Sequence, residues 1–405
     1  MCSATADTLP FLWGVTASAV SAEGVAPAAD WSTWERDGRA PRSSDGSGLL
    51  TEYRDDVRQL AALGCNAWRP TLEWARIEPV RERVDSDALD RYRDVLAAAR
   101  DAGLANWVTL QSTSLPGWYL DDEGGHRDHA ARGRFWQRHV DRVAEELGDL
   151  IDGFVPIDDP VGWAVRGYGL GSRPPGRRDP VVLRDAVEGA VLAVHDAVRL
   201  LSSGSQPVMT TWRAEPVHAM ADEDGRVPLE ASQAARGWDE LFWCWLRGHA
   251  NGVVELPGRR PIVVPRLVDS VDMVGLVHDH PVGITPDGGF TAWPASARRS
   301  GSGLAPEPDE VAEAIHRTHE ALPDHVLVVA GHGVNTDDEA WRDHLLARTL
   351  DHVRDARHNL GLAGYFHDSG VDGYDWRLGF ARPRGLLGRS RERKPAAETF
   401  ASMTR

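Results

Sequence analysis

Cysteine is scarce in this chain: Cys2, Cys65 and Cys244 are the only three in 405 residues. Their scatter offers neither the paired spacing of a zinc site nor the even count of a disulfide framework, and points to reduced thiols in a cytoplasmic setting. Long apolar runs are also missing. None approaches the roughly 20 residues needed to cross a bilayer, and the opening MCSATADTLPFLWG has no basic and extended apolar regions of a secretory signal. Positive charge is the minority sign, with 45 Lys plus Arg against 61 Asp plus Glu and a net charge of −16. A nucleic-acid partner needs a broad basic footprint, so neither nucleic acid nor membrane is expected and a small-molecule ligand is. Repeats and low-complexity blocks are absent. Tryptophan, by contrast, is plentiful at 16 residues, beside 6 Tyr and 8 Phe. Its flat apolar face and N–H donor suit either a core or a sugar ring.

Eight short apolar runs recur along the chain: FLWGVTAS (11–18), AWRPTLEW (67–74), NWVTLQS (106–112), GFVPIDD (153–159), PVMTTWR (207–213), DMVGLVHD (272–279), HVLVVAG (325–331) and GYFHDS (364–369). Segments such as 53–64, 92–103 and 135–148 lie between them, space apolar residues by three or four and end on Gly. Strands alternating with helices predict an α/β chain folded as one (β/α)8 (TIM) barrel domain across residues 1–405, its core spanning about 8–402. The active site of such a barrel lies at the C-terminal strand ends. Here those ends carry Ser18, Glu73, Gln111-Ser112, Asp158-Asp159, Arg213, His278-Asp279, His332 and His367-Asp368. Stretches 38–48 and 171–180, rich in Gly, Pro and Arg, read as surface loops. Stretch 281–309 is the longest irregular segment and is expected to form a lid over the pocket.

Several segments carry a likeness. FLWGVTASAVSAEG, YRDDVRQLAALGCNAWRPTLEWARIEP, LANWVTLQSTSLPGWYLDDEGG and the C-terminal GYFHDSGVDGYDWRLGFARPRGLLGRSRERKPAAETF resemble the family-1 glycoside hydrolases, the β-glucosidase family. The resemblance implies a barrel, a sugar-containing ligand and no required cofactor. It also implies a retaining mechanism with two carboxylates, an acid/base and a nucleophile. The family's Asn-Glu-Pro on strand four reads Asp158-Asp159-Pro160 here, so the acid/base position keeps a carboxylate one methylene shorter. Its Thr-Glu-Asn-Gly on strand seven reads Ala330-Gly331-His332-Gly333, which places glycine at the nucleophile position. Of its sugar contacts, Arg69 matches. The strand-one Gln is Ser21, with Glu23 kept two residues on. The His-Trp pair is Ser112-Thr113, the Asn-Tyr pair Val277-His278, the late Trp Asp368, and the Glu-Trp pair Asp375-Trp376. Ordinary β-glucosidase activity is therefore not expected.

New ionisable groups stand in these places. The expected catalytic set is Asp159, His332, His367 and Asp368. Glu23, Arg69, Ser112, Asp158, His278, Asp279, Asp375 and Trp376 are expected to touch the ligand. Imidazoles converging with carboxylates suit acid/base chemistry, with the histidine pKa raised by the nearby carboxylate. They equally suit a divalent metal, for which His278, His280, His332 and His367 are the candidates, although no HExxH or CxxC motif accompanies them. The leading expectation is a divergent hydrolase-like enzyme acting on a glycoside or glycoside-like metabolite through this His/Asp pocket. The alternatives are a catalytically inactive barrel that binds a sugar or other ligand, and a scaffold or partner subunit. Histidines turned away from the cavity would favour the binding barrel, and a filled cavity the scaffold.

Overall fold

The computed structural model describes residues 10–268, 270–278, 280–381 and 383–404. All eight expected strands form: Leu12–Ala17 (β1), Ala67–Pro70 (β2), Ala105–Thr109 (β3), Gly153–Val155 (β4), Met209–Arg213 (β5), Met273–Val277 (β6), Val326–His332 (β7) and Gly364–His367 (β8). They pair in the order β4-β3-β2-β1-β8-β7-β6-β5, and every ladder is parallel. A parallel bridge from Phe154 to Val208 joins the two ends of that order. The result is a (β/α)8 barrel.

Alternation along the strands sorts side chains to two sides. Ala67, Trp107, Val155, Met209, Met273, Val328, Ala330 and Phe366 fill the barrel interior. Val274, Leu276, Val329 and Tyr365 face outward into the larger core beneath the helices. Those helices include Leu49–Ala62 (α1), Ser86–Asp101 (α2), Gln137–Leu147 (α3), Pro180–Leu201 (α4), Leu229–Asn251 (α5), Pro308–Ala321 (α6) and Glu339–Leu360 (α7). Carboxylate caps give several of them sharp starts: Asp85 accepts from the Ala88 N–H, Asp338 from Trp341, and Asp179 from Val181 just before Pro180. Much of the tryptophan goes to the core, with Trp31, Trp68, Trp74, Trp136, Trp212 and Trp245 fully buried. Cys65 and Cys244 are free and buried, and burial pushes both thiols up to about 12. Cys2 lies outside the described residues.

Two local features shape the site. The stretch 281–309, expected to be irregular, instead contains strands Val282–Ile284 and Phe290–Ala292, which pair with each other and with Val217–Ala219. Strand β7 carries a bulge: its register slips by one residue between Val329 and Gly331 against β6, and between Val329 and His332 against β8. A bulge seats two successive residues on one side and returns the next to the other. Ala330 packs in the barrel and Gly331 borders the cavity, while His332 is turned outward. Among the described residues no helix is long and apolar enough to cross a membrane.

Candidate functional site

A cavity of about 990 Å³ opens at the C-terminal strand ends, where the barrel rule places an active site. Asp159 stands at its base. The residue follows β4 in a left-handed conformation (φ 50°, ψ 65°) and caps the short helix Pro160–Ala164, its Oδ1 accepting from the Gly162 N–H at 3.0 Å. Glycine is required at 162, because a Cβ there would lie 2.0 Å from the Asp159 carboxylate. The Asp159 N–H donates to Thr211 Oγ1 at 2.9 Å. Two guanidiniums converge on Oδ2, Arg213 Nε at 2.7 Å and Arg166 at 3.0 Å. Burial alone would raise this carboxyl, but the charges of Arg213 and Arg166 outweigh it and hold the pKa below the usual carboxylate range. Asp159 is therefore ionised and paired at neutral pH.

The other cavity carboxylates are held in similar ways. Asp158 accepts from Arg69 at 3.0 Å. Glu215, two residues beyond β5, pairs with Arg213 and lies 3.7 Å from His280. Asp368 accepts from Thr16 at 2.7 Å and pairs with Arg384. Asp375 accepts from Asn335 at 3.0 Å and from the backbone N–H of Arg377. Ser112 and Trp376 also line the wall. The structure thus gathers Asp159, Asp368, Arg69, Ser112, Asp158, Asp375, Trp376 and His280 around one space. Asp279 lies outside the described residues.

The remaining candidates are elsewhere, and their assignment is corrected. His278, His332 and His367 are buried but do not line the cavity. Each follows or ends its strand at an outward position, next to an inward neighbour: Val277, Gly331 and Asp368 face the cavity instead. His332 and His367 both meet the Tyr365 hydroxyl at 3.2 Å. His332 also reaches Thr349 of α7 at 3.5 Å, His367 reaches the Arg384 carbonyl at 3.2 Å, and the His278 and His332 rings lie parallel, 6.3 Å apart. The expected rise in histidine pKa is reversed at His367, where burial, followed by the nearby His332, pushes it down to about 3. His280 sits on the other side of the wall from these three. Among the described residues no three His, Cys, Asp or Glu side chains are grouped to hold a metal ion.

Glu23 is likewise off the cavity. It is buried against Arg76 at 2.9 Å and Tyr92 at 2.9 Å, and burial raises its pKa to about 7. Conversely, the sequence reading missed Arg166, Arg173, Glu215 and Arg384, all of which border the cavity. Arg39 and Arg173 belong to the two stretches read as surface loops, and both loops turn inward to form part of the rim. Eight arginines face this space against five carboxylates among the described residues. The available signal was arginine recurring in the long connections after β4 and β8, as Arg166 and Arg173 and as Arg377 and Arg384.

The family model for Glycosyl hydrolase family 1 matches residues 6–244. Among curated proteins, the chain is 23% identical to "Beta-glucosidase A" of Thermotoga maritima over 93% of this chain and 92% of that one. It is 26% identical to "Thermostable beta-glucosidase B" of Thermobispora bispora over 93% of this chain and 85% of that one. Among solved structures, a beta-glycosidase from Pyrococcus horikoshii superposes with a TM-score of 0.86 at 24% identity, covering 98% of this chain and 94% of that one.

Proposed function

Because the chain belongs to glycosyl hydrolase family 1, we propose that it is a single-domain barrel of that family that binds a sugar-containing small molecule and does not run two-carboxylate retaining hydrolysis. The observation that carries this reading is the state of Asp159. Retaining hydrolysis needs one carboxyl able to give up a proton to the leaving group and a second to attack the anomeric carbon. Asp159 is ionised by its two arginines, and glycine at 331 has nothing to attack with. The outward position of His278, His332 and His367 also favours binding over the His/Asp chemistry expected from the sequence. No cofactor enters this reading, and the free, buried thiols of Cys65 and Cys244 fit a cytoplasmic protein.

A second reading rests on Glu215 and His280, a carboxylate and an imidazole facing each other at 3.7 Å within the cavity. Such a pair can shuttle a proton, and would make the protein a hydrolase by another route. One experiment separates the two: a panel of aryl β-glycosides assayed for turnover and for binding, with wild type and Glu215→Gln side by side. Binding without turnover is expected. Turnover lost in Glu215→Gln would favour the second reading. Turnover within tenfold of an ordinary family member, abolished by Asp159→Ala, would overturn both.

A further inference from the structure

We propose that the cavity selects an anionic ligand, seating an oxyanion group (phosphate, sulfate or carboxylate) against Arg166, Arg173 and Arg213. This rests on the cavity being a ligand site and names the chemistry of what enters it. The chain carries a net charge of −16, yet the cavity wall runs the other way, with arginine outnumbering carboxylate among the described residues. Concentrating the minority charge in one concave space is what electrostatic focusing on an anion requires.

The detail lies at Arg173. Asp159 is shared between Arg166 and Arg213, and Glu215 takes the far side of Arg213. Among the described residues, Asp159 and Glu215 thus serve the Arg166 and Arg213 guanidiniums. Arg173 is the third, and its side chain has neither an ion pair nor a hydrogen bond among the described residues, with Nε wholly shielded. Its backbone is fixed beside the other two. The Arg173 N–H donates to the Arg166 carbonyl, and the Gly176 N–H closes the turn on the Arg173 carbonyl at 2.8 Å. A Cβ at Gly167 would lie 2.7 Å from the Pro174 carbonyl, so the two segments pack as closely as backbone allows. Burial first, then the Arg166 and Arg213 charges, disfavour the charged form of Arg173. Arginine does not shed its proton in proteins, so this cost persists until an anion arrives. Arg173 also lies over the Trp376 ring at 5.0 Å, and Arg377 lies over the same ring at 5.7 Å. Trp376 offers an apolar face for the ligand's body, and the planar fork of arginine matches the paired oxygens of an oxyanion.

The test is calorimetric titration of the full chain with glucose, glucuronate and glucose 6-phosphate, and with inorganic phosphate and sulfate, at low and high NaCl. At least one anionic sugar is expected to bind tenfold or more tighter than glucose, with an advantage that shrinks as salt rises. The two anionic sugars separate a carboxylate site from a phosphate site. Arg173→Gln is expected to remove about tenfold of that preference while moving glucose affinity less than twofold, and Arg173→Lys to keep part of it. Unchanged melting of both variants shows that they fold. Equal affinity for glucose and both anionic sugars, or a preference that survives Arg173→Gln, overturns the inference and leaves the sugar-binding reading standing. Binding of inorganic phosphate or sulfate that depends on Arg173, with no sugar bound at all, upholds the anion site and removes the sugar. No binding of any probe overturns both.

Discussion

The two sides of the same strand ends make a useful contrast. On the cavity side stand arginines and carboxylates, largely paired. On the helix side, a residue away in sequence, stand His278, His332 and His367, buried among Tyr365, Thr349 and the Arg384 carbonyl. Polar character at a strand end is therefore not enough to mark a site. The side on which the residue falls decides whether it meets ligand or packs as core, and in a barrel that side alternates with every residue.

The largest effect should come from breaking the charged side. Asp159→Ala removes the carboxylate that Arg166 and Arg213 share, leaving Arg166 without an ion pair among the described residues while Arg213 keeps Glu215. Removing one partner of a buried pair typically costs about 3–5 kcal/mol. Urea unfolding of the variant should show a loss in that range, and a loss under about 1 kcal/mol would mean that water already screens the arginines. Neighbouring glycines of the bulge sharpen the contrast next. A Cβ at Gly333 would lie 1.9 Å from the Asp368 carbonyl oxygen, whereas one at Gly331 would meet the Arg69 guanidinium at 3.5 Å, ordinary contact. Gly333→Ala should therefore lose about 3 kcal/mol, near the upper end of overpacking costs, and Gly331→Ala less than about 0.5 kcal/mol. Similar losses for the two, read from the same melting curves, would contradict the bulge geometry.

The helix side is tested by acid. A histidine held neutral when folded takes up a proton on unfolding once the pH is below its unfolded pKa. A folded value near 3 thus means stability that is whole above about pH 6.5 and drains as pH falls toward 3. His126, His139 and His249 are pushed down in the same way, burial coming first for each. Glu23 works in the opposite sense, since a raised carboxyl pKa favours the fold as pH falls. His367→Gln removes one such proton from the balance and leaves the rest in place. Its stability relative to wild type should improve by about 2 kcal/mol between pH 6.5 and 5, at roughly 1.4 kcal/mol per unit. A parallel pH profile would show that His367 is charged in the fold.

The fold was legible because burial writes it into composition. Runs such as VLVVAG and MVGLV admit little besides a strand buried on both faces, and Asp-capped, Gly-terminated stretches between them mark helices. The cavity lining was legible only where an inward position coincided with a recognisable motif, as at Arg69, Asp158, Asp159 and Asp375-Trp376. His332 misled because the bulge in β7 is invisible in Val-Ala-Gly-His, and counting by twos from Val328 puts the histidine inside. Arg173 was missed for a different reason. A stretch such as GSRPPGRRDP has the composition of a solvated turn, and its inward course is set by contacts with Gly167 and Trp376, which lie outside the stretch itself.

The bulge has a consequence for how such a barrel can change over time. The bulge keeps His332 in the wall, where the same residues in unbroken alternation would place it in the lumen, so the chemical content of strand seven is carried by backbone geometry as much as by spelling. Deleting a single residue between Val329 and His332 would remove the bulge and leave the imidazole in the wall, whereas drawing the bulge out with every residue kept would turn the imidazole into the cavity. Inserting one elsewhere could withdraw a functional group just as cleanly. In a fold built on strict alternation, activities can be gained or retired by a slip of one position, a route that comparing residues column by column does not reveal.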